Sequence, residues 1–299
     1  MSITTGAAMY APHYLAIEKG YYAEEGLAVE IVTLPGGVAT TALIAGELEY
    51  TTSTAAALNA ALTGAPLKII LASADRPVHE IWSTGPEVET LNDLPGKTLG
   101  VPSRADGNEV AARIGLLQRG VDPNAINWVA IGSGAQRVAS VQSGIVAAAV
   151  LPIADLVEMR DTLVGGRRLM SLTDEVRLMF AGVVTSDHEL EARRDRARRF
   201  LRATAKGREY LRAYRAETLA VLQEYNPVRP AGNEVDYDTI LPALSADGSI
   251  PPDVQRRDAE VRAALNGVPD VPPVEQMYDF SLVREVYREL QSSSWQPTR

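Results

Sequence analysis

Two runs of alternating strand and helix patterns, separated by a proline-rich break, constrain the fold of this chain more than any other feature. The first run lies within residues 1–76 and includes the predicted helix TAAALNAALTG followed by the predicted strand LKIILAS. Because each predicted helix connects two predicted strands, we expect a largely parallel sheet. The run stops at Pro77, Pro86 and Pro95, where the extended segment 78–84 is predicted to cross to a second lobe.

The second run has the pattern of a complete small α/β lobe. Its predicted strands include KTLGVP, NWVAIG and IVAAAVLP, each followed by a helical pattern. The β-branched, apolar segment FAGVVTS at residues 180–186 is predicted to return the chain to the first lobe. We therefore predict a two-lobe α/β fold with two crossover segments and a ligand cleft between the lobes. Lobe I comprises residues 1–76 and 186–299, and lobe II comprises residues 77–185.

Composition excludes several classes of function. The 299 residues are 46% hydrophobic, which is enough to build two cores, and the net charge of −9 disfavours binding to nucleic acid. The chain contains no cysteine, so a thiolate nucleophile, a disulfide framework and a Cys-ligated metal are impossible. We expect a small-molecule partner and no nucleic acid.

One segment carries the opposite charge and leaves an alternative open. Ten Lys and Arg residues lie between residues 193 and 215. Arg194, Arg198 and Arg202 recur every four residues and would share one helix face. A solvated helix face, with Ala197, Phe200 and Leu201 in the core, is the simpler interpretation, and a site for a partner or a nucleic acid is the alternative.

Motifs for catalysis are weak. The three histidines have no metal-binding spacing, and the GSG at residues 132–134 is neither a dinucleotide fingerprint nor a phosphate loop. No serine occurs in a Gly-x-Ser-x-Gly nucleophile elbow. We therefore expect a protein that binds without turnover and uses no cofactor and no metal.

The opening stretch MYAPHYLAIEKGYYAEEGLAVEIV, residues 9–32, combines short helices, two glycines and a strand. Pro12 suits the first turn of a helix, and Gly20 and Gly26 suit left-handed helix ends. This stretch resembles the type II periplasmic solute-binding proteins of the nitrate, sulfonate, taurine and thiamine-pyrimidine group. The other matching pieces are GGVATTALIAGELEYTTST, LNDLPGKTLGVPSRADG, VASVQSGIVAAAV and DFSLVREVYREL.

The resemblance implies a periplasmic-binding-protein-like (type II) fold and the capture of a small solute for an ABC permease. Its implied partners are the solute and the transmembrane subunits of the permease, and we expect a monomer. The alternative is an enzyme on the same fold, related to thiamine-pyrimidine biosynthesis. We expect a periplasmic or lipid-anchored extracytoplasmic protein if a leader precedes this sequence, and a cytoplasmic protein if none does.

Ligands of open parallel sheets bind outside the carboxyl ends of the strands, so the loops there supply the candidate site. The candidate ligand-binding residues are Met9, Tyr10, His13, Gly36, Gly37, Ser53, Thr54, Arg76, Ser103, Arg104, Pro152 and Ile153. Most of them have an ordinary structural alternative: core packing for Tyr10 and His13, a tight turn for the glycines, and helix capping for Ser53 and Thr54.

The loop PSRADGNE is the most informative of these loops. Ser103 can cap a helix and Arg104 adds a positive charge beside it, so a carboxylate, sulfonate or phosphate would suit this corner. The alternative is that Arg104 faces solvent or pairs with Asp106. We expect a small organic solute, anionic or heteroaromatic, held between Tyr10 and the Ser103–Arg104 corner as the lobes close.

Overall fold

The computed structural model describes residues 1–4, 8–159, 161–225 and 230–298. The helices are α1 (Ala11–Glu18), α2 (Tyr21–Glu24), α3 (Gly36–Ile44), α4 (Thr54–Leu62), α5 (Gly107–Gln118), α6 (Gly134–Gln142), α7 (Ile153–Glu158), α8 (Leu172–Glu175), α9 (Asp187–Ala192), α10 (Arg194–Ala213), α11 (Arg215–Tyr225), α12 (Pro230–Ile240), α13 (Pro252–Asn266) and α14 (Ser281–Ser292). The strands are β1 (Ser2–Ile3), β2 (Val32–Thr33), β3 (Leu67–Ala74), β4 (His79–Ser83), β5 (Thr98–Val101), β6 (Asn127–Ala130), β7 (Ala148–Pro152), β8 (Arg167–Ser171) and β9 (Ala181–Ser186).

The first sheet combines three strands from the first 74 residues with β9, which follows the second lobe in the chain. β1 pairs with β2 in parallel, and β3 pairs with β9 in antiparallel register. Single bridges from Thr51 to Ser2 and to Val184 join the two pairs. Only Val32–Thr33 after α2 and the single residue Thr51 before α4 meet a neighbouring strand, so regular strand in this part of the chain is short.

The second sheet has the strand order β6-β5-β7-β4-β8. β5 is parallel to both β6 and β7, but β4 runs antiparallel to β7 and β8. The prediction of largely parallel sheets is thus wrong for β4 and for the β3–β9 pair. Segment 78–84 was predicted as a crossover, but its residues His79–Ser83 form β4, which pairs with both β7 and β8.

Two short crossings connect the sheets. They run side by side after β3 and before β9, where the Leu178 N–H donates to Asp75 O at 3.0 Å and the Phe180 N–H donates to Ala74 O at 3.3 Å. Buried apolar side chains fall into a core drawn from residues 1–78 and 179–290, and into two smaller cores within residues 81–178. The boundaries predicted at residues 76/77 and 185/186 stay a prediction.

The opening stretch folds as two short helices that end at left-handed glycines. Gly20 has a φ of 73° and Gly26 a φ of 67°, as their positions in the sequence predicted. Pro12 lies in the first turn of α1, where its missing N–H leaves no hydrogen bond unmade. This arrangement packs α1 against α10 and places a 3-10 turn, Ala8–Tyr10, directly before α1.

The basic segment forms α10, with Ala197, Phe200 and Leu201 buried as predicted. Its arginine face is not simply solvated. Arg198 and Arg202 both pair with Glu289 of α14, and the Arg202 pair is 2.6 Å long. The positive charge of this face is therefore used to dock α14 on α10. In the described parts of the chain, no helix is both long enough and apolar enough to span a membrane.

Candidate functional site

The edge of the second sheet that faces lobe I is fixed by the register of β4. His79, the first residue of β4, pairs with Pro152, the last residue of β7. The chain enters β4 directly from the first crossing, so the carboxyl ends of β5, β6 and β7 lie on the side from which the chain arrives. α5, α6 and α7 each begin at this edge, at Gly107, Gly134 and Ile153. Three helix N-termini are therefore directed toward lobe I, the geometry that favours ligand binding in α/β sheets.

Lobe I contributes the starts of α3 and α4 to the opposite wall. The Ser53 hydroxyl donates to Gly36 O at 2.9 Å, and the Thr54 hydroxyl donates to Phe180 O at 3.3 Å. A Cβ on Gly36 would lie 2.7 Å from the Ser53 hydroxyl, whereas a Cβ on Gly37 would meet nothing within 4 Å. The structure therefore brings Gly36 and Ser53 into contact and leaves open space beside Gly37.

The 3-10 turn places Met9 and Tyr10 between these helix starts and α12, which packs on the turn. Met9 is half-buried, and Tyr10 is 8% exposed with its hydroxyl 2.9 Å from that of Thr4. Burial raises the pKa of Tyr10, and hydrogen bonds with Thr4 and Thr52 oppose that rise. Tyr10 is thus a fixed, neutral phenol.

His13 lies in the core, 1% exposed. Its Nδ1 is 3.0 Å from the Tyr22 hydroxyl, which in turn lies 2.9 Å from that of Thr204. Burial lowers the pKa of His13 to about 3, with smaller contributions from the N-terminal ammonium and Arg208. The sequence left ligand binding and core packing open for His13. In the structure its side chain packs in the core.

The start of α5 differs from the prediction that Ser103 caps it. Asp106 is the N-cap, and its carboxylate accepts from the N–H groups of Asn108 and Glu109. Ser103 lies three residues earlier, on the exposed loop. The short Asp side chain holds the cap because the helix begins at Gly107, beyond the reach of Ser103.

Arg104 is engaged within lobe II. Its Nε donates to Glu109 Oε2 at 2.9 Å and its Nη2 to Oε1 at 3.2 Å, so the ion pair is bidentate and the partner is not Asp106. The fully buried Glu109 also accepts from Arg113 Nε at 2.9 Å and from the Ala105 N–H at 2.8 Å. Burial alone would raise the pKa of Glu109, but these hydrogen bonds outweigh it and the pKa lies below its ordinary value. The guanidinium of Arg104 is therefore already engaged, although Glu109 shares its single negative charge between Arg104 and Arg113.

A second pair of charged residues, which sequence reasoning missed, lies at the start of α6. Arg137 is 2% exposed; its Nε donates to Val150 O at 2.7 Å and its Nη1 to Gly132 O. Asp155, in the first turn of α7, is 8% exposed. A Cβ built on Gly134 would lie 1.4 Å from Asp155 Oδ2, so the carboxylate rests directly on the first residue of α6.

Burial lowers the pKa of Arg137, and the charges of Asp155 and Asp106 act to raise it. The pKa of His79 is lowered to about 3. Burial is the larger cause, and the positive charge of Arg137 is the second. The His79 ring contacts Phe180 edge-on, with centroids 5.6 Å apart. The sequence analysis noted only the GSG at residues 132–134, at the start of α6, and gave no signal for Arg137 or Asp155.

The remaining predicted residues are dispersed. Pro152 precedes α7, and the Ile153 N–H donates to Val78 O at 3.2 Å, so both lie beside the first crossing. Arg76 instead pairs with Asp75 at 3.7 Å and borders a separate cavity of about 380 Å³. The structure does not bring Arg76 together with the other candidates.

Two cavities of the described residues lie at the opposite edges of the sheets. One, of about 560 Å³, is lined by residues around Thr84, Thr98 and Ala147, at the amino ends of β5 and β7. The other, of about 550 Å³, borders Met1 and Tyr50 near the start of β1. Ligands of such sheets bind at the carboxyl ends, so we place the candidate site between the lobes. Among the described residues, no cluster of three or more His, Asp or Glu side chains could hold a metal ion.

The two sheets, the paired crossings and the facing helix starts define a two-lobe α/β protein of the periplasmic-binding-protein type, as predicted. The sequence model of the family described as NMT1/THI5 like matches residues 7–218, and the chain belongs to this family.

Known proteins similar to the chain extend this comparison. The riboflavin-binding protein RibY of Chloroflexus aurantiacus is 27% identical over 203 residues, which are 66% of this chain and 57% of that protein. The chain therefore matches little more than half the length of this relative. Two solved structures superpose over the whole chain: a putative sulfonate-binding SsuA from Methylobacillus flagellatus KT, and the nitrate-binding NrtA from Synechocystis PCC 6803. The SsuA structure has a TM-score of 0.77 and 16% sequence identity, and 97% of its chain is covered. The NrtA structure has a TM-score of 0.71 and 14% sequence identity, and 91% of its chain is covered. At these identities the likeness establishes the fold.

Proposed function

We propose that this chain is the solute-binding component of an ABC importer and captures a small organic solute between its lobes. The observation that carries the proposal is the placement of five helix starts, those of α3, α4, α5, α6 and α7, on facing edges beside two hydrogen-bonded crossings. Such an edge supplies unpaired N–H groups and side chains from both lobes to one ligand. The periplasmic binding function of the superposed proteins supports the same assignment.

We further propose that the solute is an uncharged or heteroaromatic molecule rather than an anion. The sequence allowed either class, and the anionic class depended on a free Arg104. Instead, Arg104 and Arg113 are bound by Glu109, while Arg137 lies with Asp155 and Asp106. Each of the three guanidinium groups thus has an acidic neighbour, and the riboflavin named for the relative is compatible with a heteroaromatic solute.

Tyr10 and Met9 from lobe I and Pro152 and Ile153 from lobe II are the proposed apolar walls. Ser53 and Thr54, at the start of α4, are the proposed polar contacts between these walls. A flat ring between such walls gains from stacking and from burial of apolar surface, about 25 cal/mol for each Å². Because only a ligand that touches both lobes distinguishes open from closed forms, hinge closure would follow from this arrangement.

The proposed partners are the transmembrane subunits of a permease, and the proposed location is outside the cytoplasmic membrane. The proposed state is a monomer, since both lobes of one chain complete the cleft. An enzyme of thiamine-pyrimidine chemistry is the alternative, and no observation on the described residues favours it.

The test begins with mass spectrometry of any solute that copurifies with the chain. Riboflavin, ethanesulfonate and nitrate are then titrated into solute-free protein, with riboflavin followed by fluorescence quenching and the two anions by calorimetry. We expect riboflavin to bind more tightly than either anion and to be recovered unchanged. Stronger binding of ethanesulfonate would contradict the solute class, and recovery of an altered product would contradict the binding role.

Substitutions of Tyr10 and Arg104 test whether the solute depends on the proposed apolar wall or on the arginine corner. We expect Tyr10→Leu to weaken riboflavin binding about tenfold, since an aromatic contact contributes about 0.5–1.5 kcal/mol and 1.4 kcal/mol is one decade. Tyr10→Phe keeps the ring and serves as its control. Arg104→Ala should change the dissociation constant less than about twofold, because its guanidinium is held by Glu109. If Arg104→Ala weakens binding tenfold while Tyr10→Leu does not, the solute depends on the arginine corner.

A further inference from the structure

We propose that Asp155 determines specificity by occupying, as part of the protein itself, the position in the cleft that an anionic solute would take. This inference rests on the proposed solute-binding function and names a residue that decides the class of solute. Asp155 lies in the first turn of α7, at the edge of lobe II that faces lobe I, and α7 packs against α12 of lobe I. Its carboxylate therefore lies where the two lobes meet.

The contact with α6 identifies what Asp155 replaces. Its Oδ2 lies 1.4 Å from the Cβ position of Gly134, so a carboxylate oxygen is seated against the first residue of a nine-residue helix. Ser133 and Gln136 form a capping box at that start, which leaves the first N–H groups of the helix for another acceptor. A carboxylate is the chemical equivalent of the acidic group of an organic acid or a sulfonate. Asp155 thus holds the place of an anionic ligand.

A buried cation beside the same position supports this assignment independently of the helix end. Arg137 is 2% exposed, and its Nε and Nη1 donate to two backbone carbonyls rather than to a carboxylate. The negative charges that act on it are those of Asp155 and Asp106. Without Asp155, the negative charge that acts on this buried guanidinium would be that of Asp106 alone, which already caps α5. Such a corner attracts anions.

With Asp155 present, an incoming anion would meet a carboxylate already seated at the helix start. The Asp155 carboxylate would not repel an uncharged heteroaromatic ring. Such a ring could accept or donate hydrogen bonds at the rim of the cleft. Selectivity against sulfonate, nitrate and carboxylate solutes therefore follows from one internal side chain, as a repulsive element built into the site.

The test measures anion binding to the full chain and its variants by titration calorimetry, with ethanesulfonate and inorganic sulfate as probes. We expect Asp155→Ala and Asp155→Asn to bind ethanesulfonate at least tenfold more tightly than the unsubstituted chain. Asp174→Ala removes an exposed carboxylate elsewhere in lobe II and serves as the matched control for net charge. Asp155→Glu keeps the charge and should still exclude the anion. Thermal melting of every variant confirms that each is folded.

The outcomes separate this inference from the proposed function. If folded Asp155→Ala and Asp155→Asn gain no affinity for either anion, or if Asp174→Ala gains as much, the role of Asp155 is overturned even when riboflavin binds. Tight binding of ethanesulfonate by the unsubstituted chain would overturn it as well. If the Asp155 variants gain anion affinity but no form binds a heteroaromatic probe, the role of Asp155 stands and the proposed solute class fails.

Discussion

Acidification from pH 7 to pH 5 is expected to remove about 2 kcal/mol from the free energy of unfolding for each of two buried histidines. Burial lowers the pKa of His13 and of His79 to about 3, against about 6.5 in the unfolded chain. Both rings are therefore neutral in the folded protein, while the unfolded chain binds protons as the pH falls below 6.5. The stabilisation is complete above pH 6.5 and is progressively lost toward pH 3.

Urea unfolding at the two pH values measures this loss. We expect His79→Gln to reduce the difference between pH 7 and pH 5 by about 2 kcal/mol relative to the unsubstituted chain. His188→Gln changes an exposed histidine and should leave the difference intact. An unchanged pH dependence in His79→Gln would show that this ring is accessible to protons in the folded state.

Replacement of Gly207 by alanine is expected to lower the free energy of unfolding by about 3 kcal/mol. Gly207 lies in α10 where this helix crosses α1, and a Cβ there would lie 2.1 Å from Pro12 O. The obstacle is backbone, so the two helices must separate. Alanine favours an isolated helix by about 1 kcal/mol over glycine, and the measured loss is expected despite that gain.

Gly85→Ala is the matched control, because its added Cβ meets nothing nearer than 4.0 Å. Equilibrium urea unfolding should place this control within about 0.5 kcal/mol of the unsubstituted chain. Since Pro12 follows the turn that carries Tyr10, we also expect Gly207→Ala to weaken riboflavin binding. Equal stability of the two variants would show that α1 and α10 can separate at little cost.

Local chemistry allowed much of the fold to be predicted. Gly20 and Gly26 ended short helices because only a residue without a Cβ readily adopts a positive φ. Ala197, Phe200 and Leu201 were buried because their spacing matches the helical period. The direction of the strands was harder to predict from the sequence. The sequence of β4 resembles that of any buried strand, and its antiparallel pairing depends on where the first crossing enters the sheet.

Some features of the candidate site could likewise be predicted from the sequence, and others could not. Gly36 and Ser53 were predicted as candidate ligand-binding residues, and the structure adds that the Ser53 hydroxyl donates to Gly36 O at 2.9 Å rather than capping α4. Ser103 was proposed as a cap because it precedes a helical pattern, but Asp106 stands closer to the actual start and holds the cap. Boundaries of this kind shift by a few residues when tertiary contacts select the first turn.

By itself, the sequence determined the class of chain: two α/β lobes, no thiol chemistry, and loops with small and polar residues at strand ends. These properties follow from composition and from periods of two and 3.6 residues, which are local. The tertiary structure decided the charges of the site. Arg104 meets Glu109 across one turn, but Asp155 reaches the start of α6 only because α6 and α7 begin at the same sheet edge, where its Oδ2 lies 1.4 Å from the Cβ position of Gly134. Electrostatic neutralisation depends on distance in space, and spacing along the chain does not specify that distance.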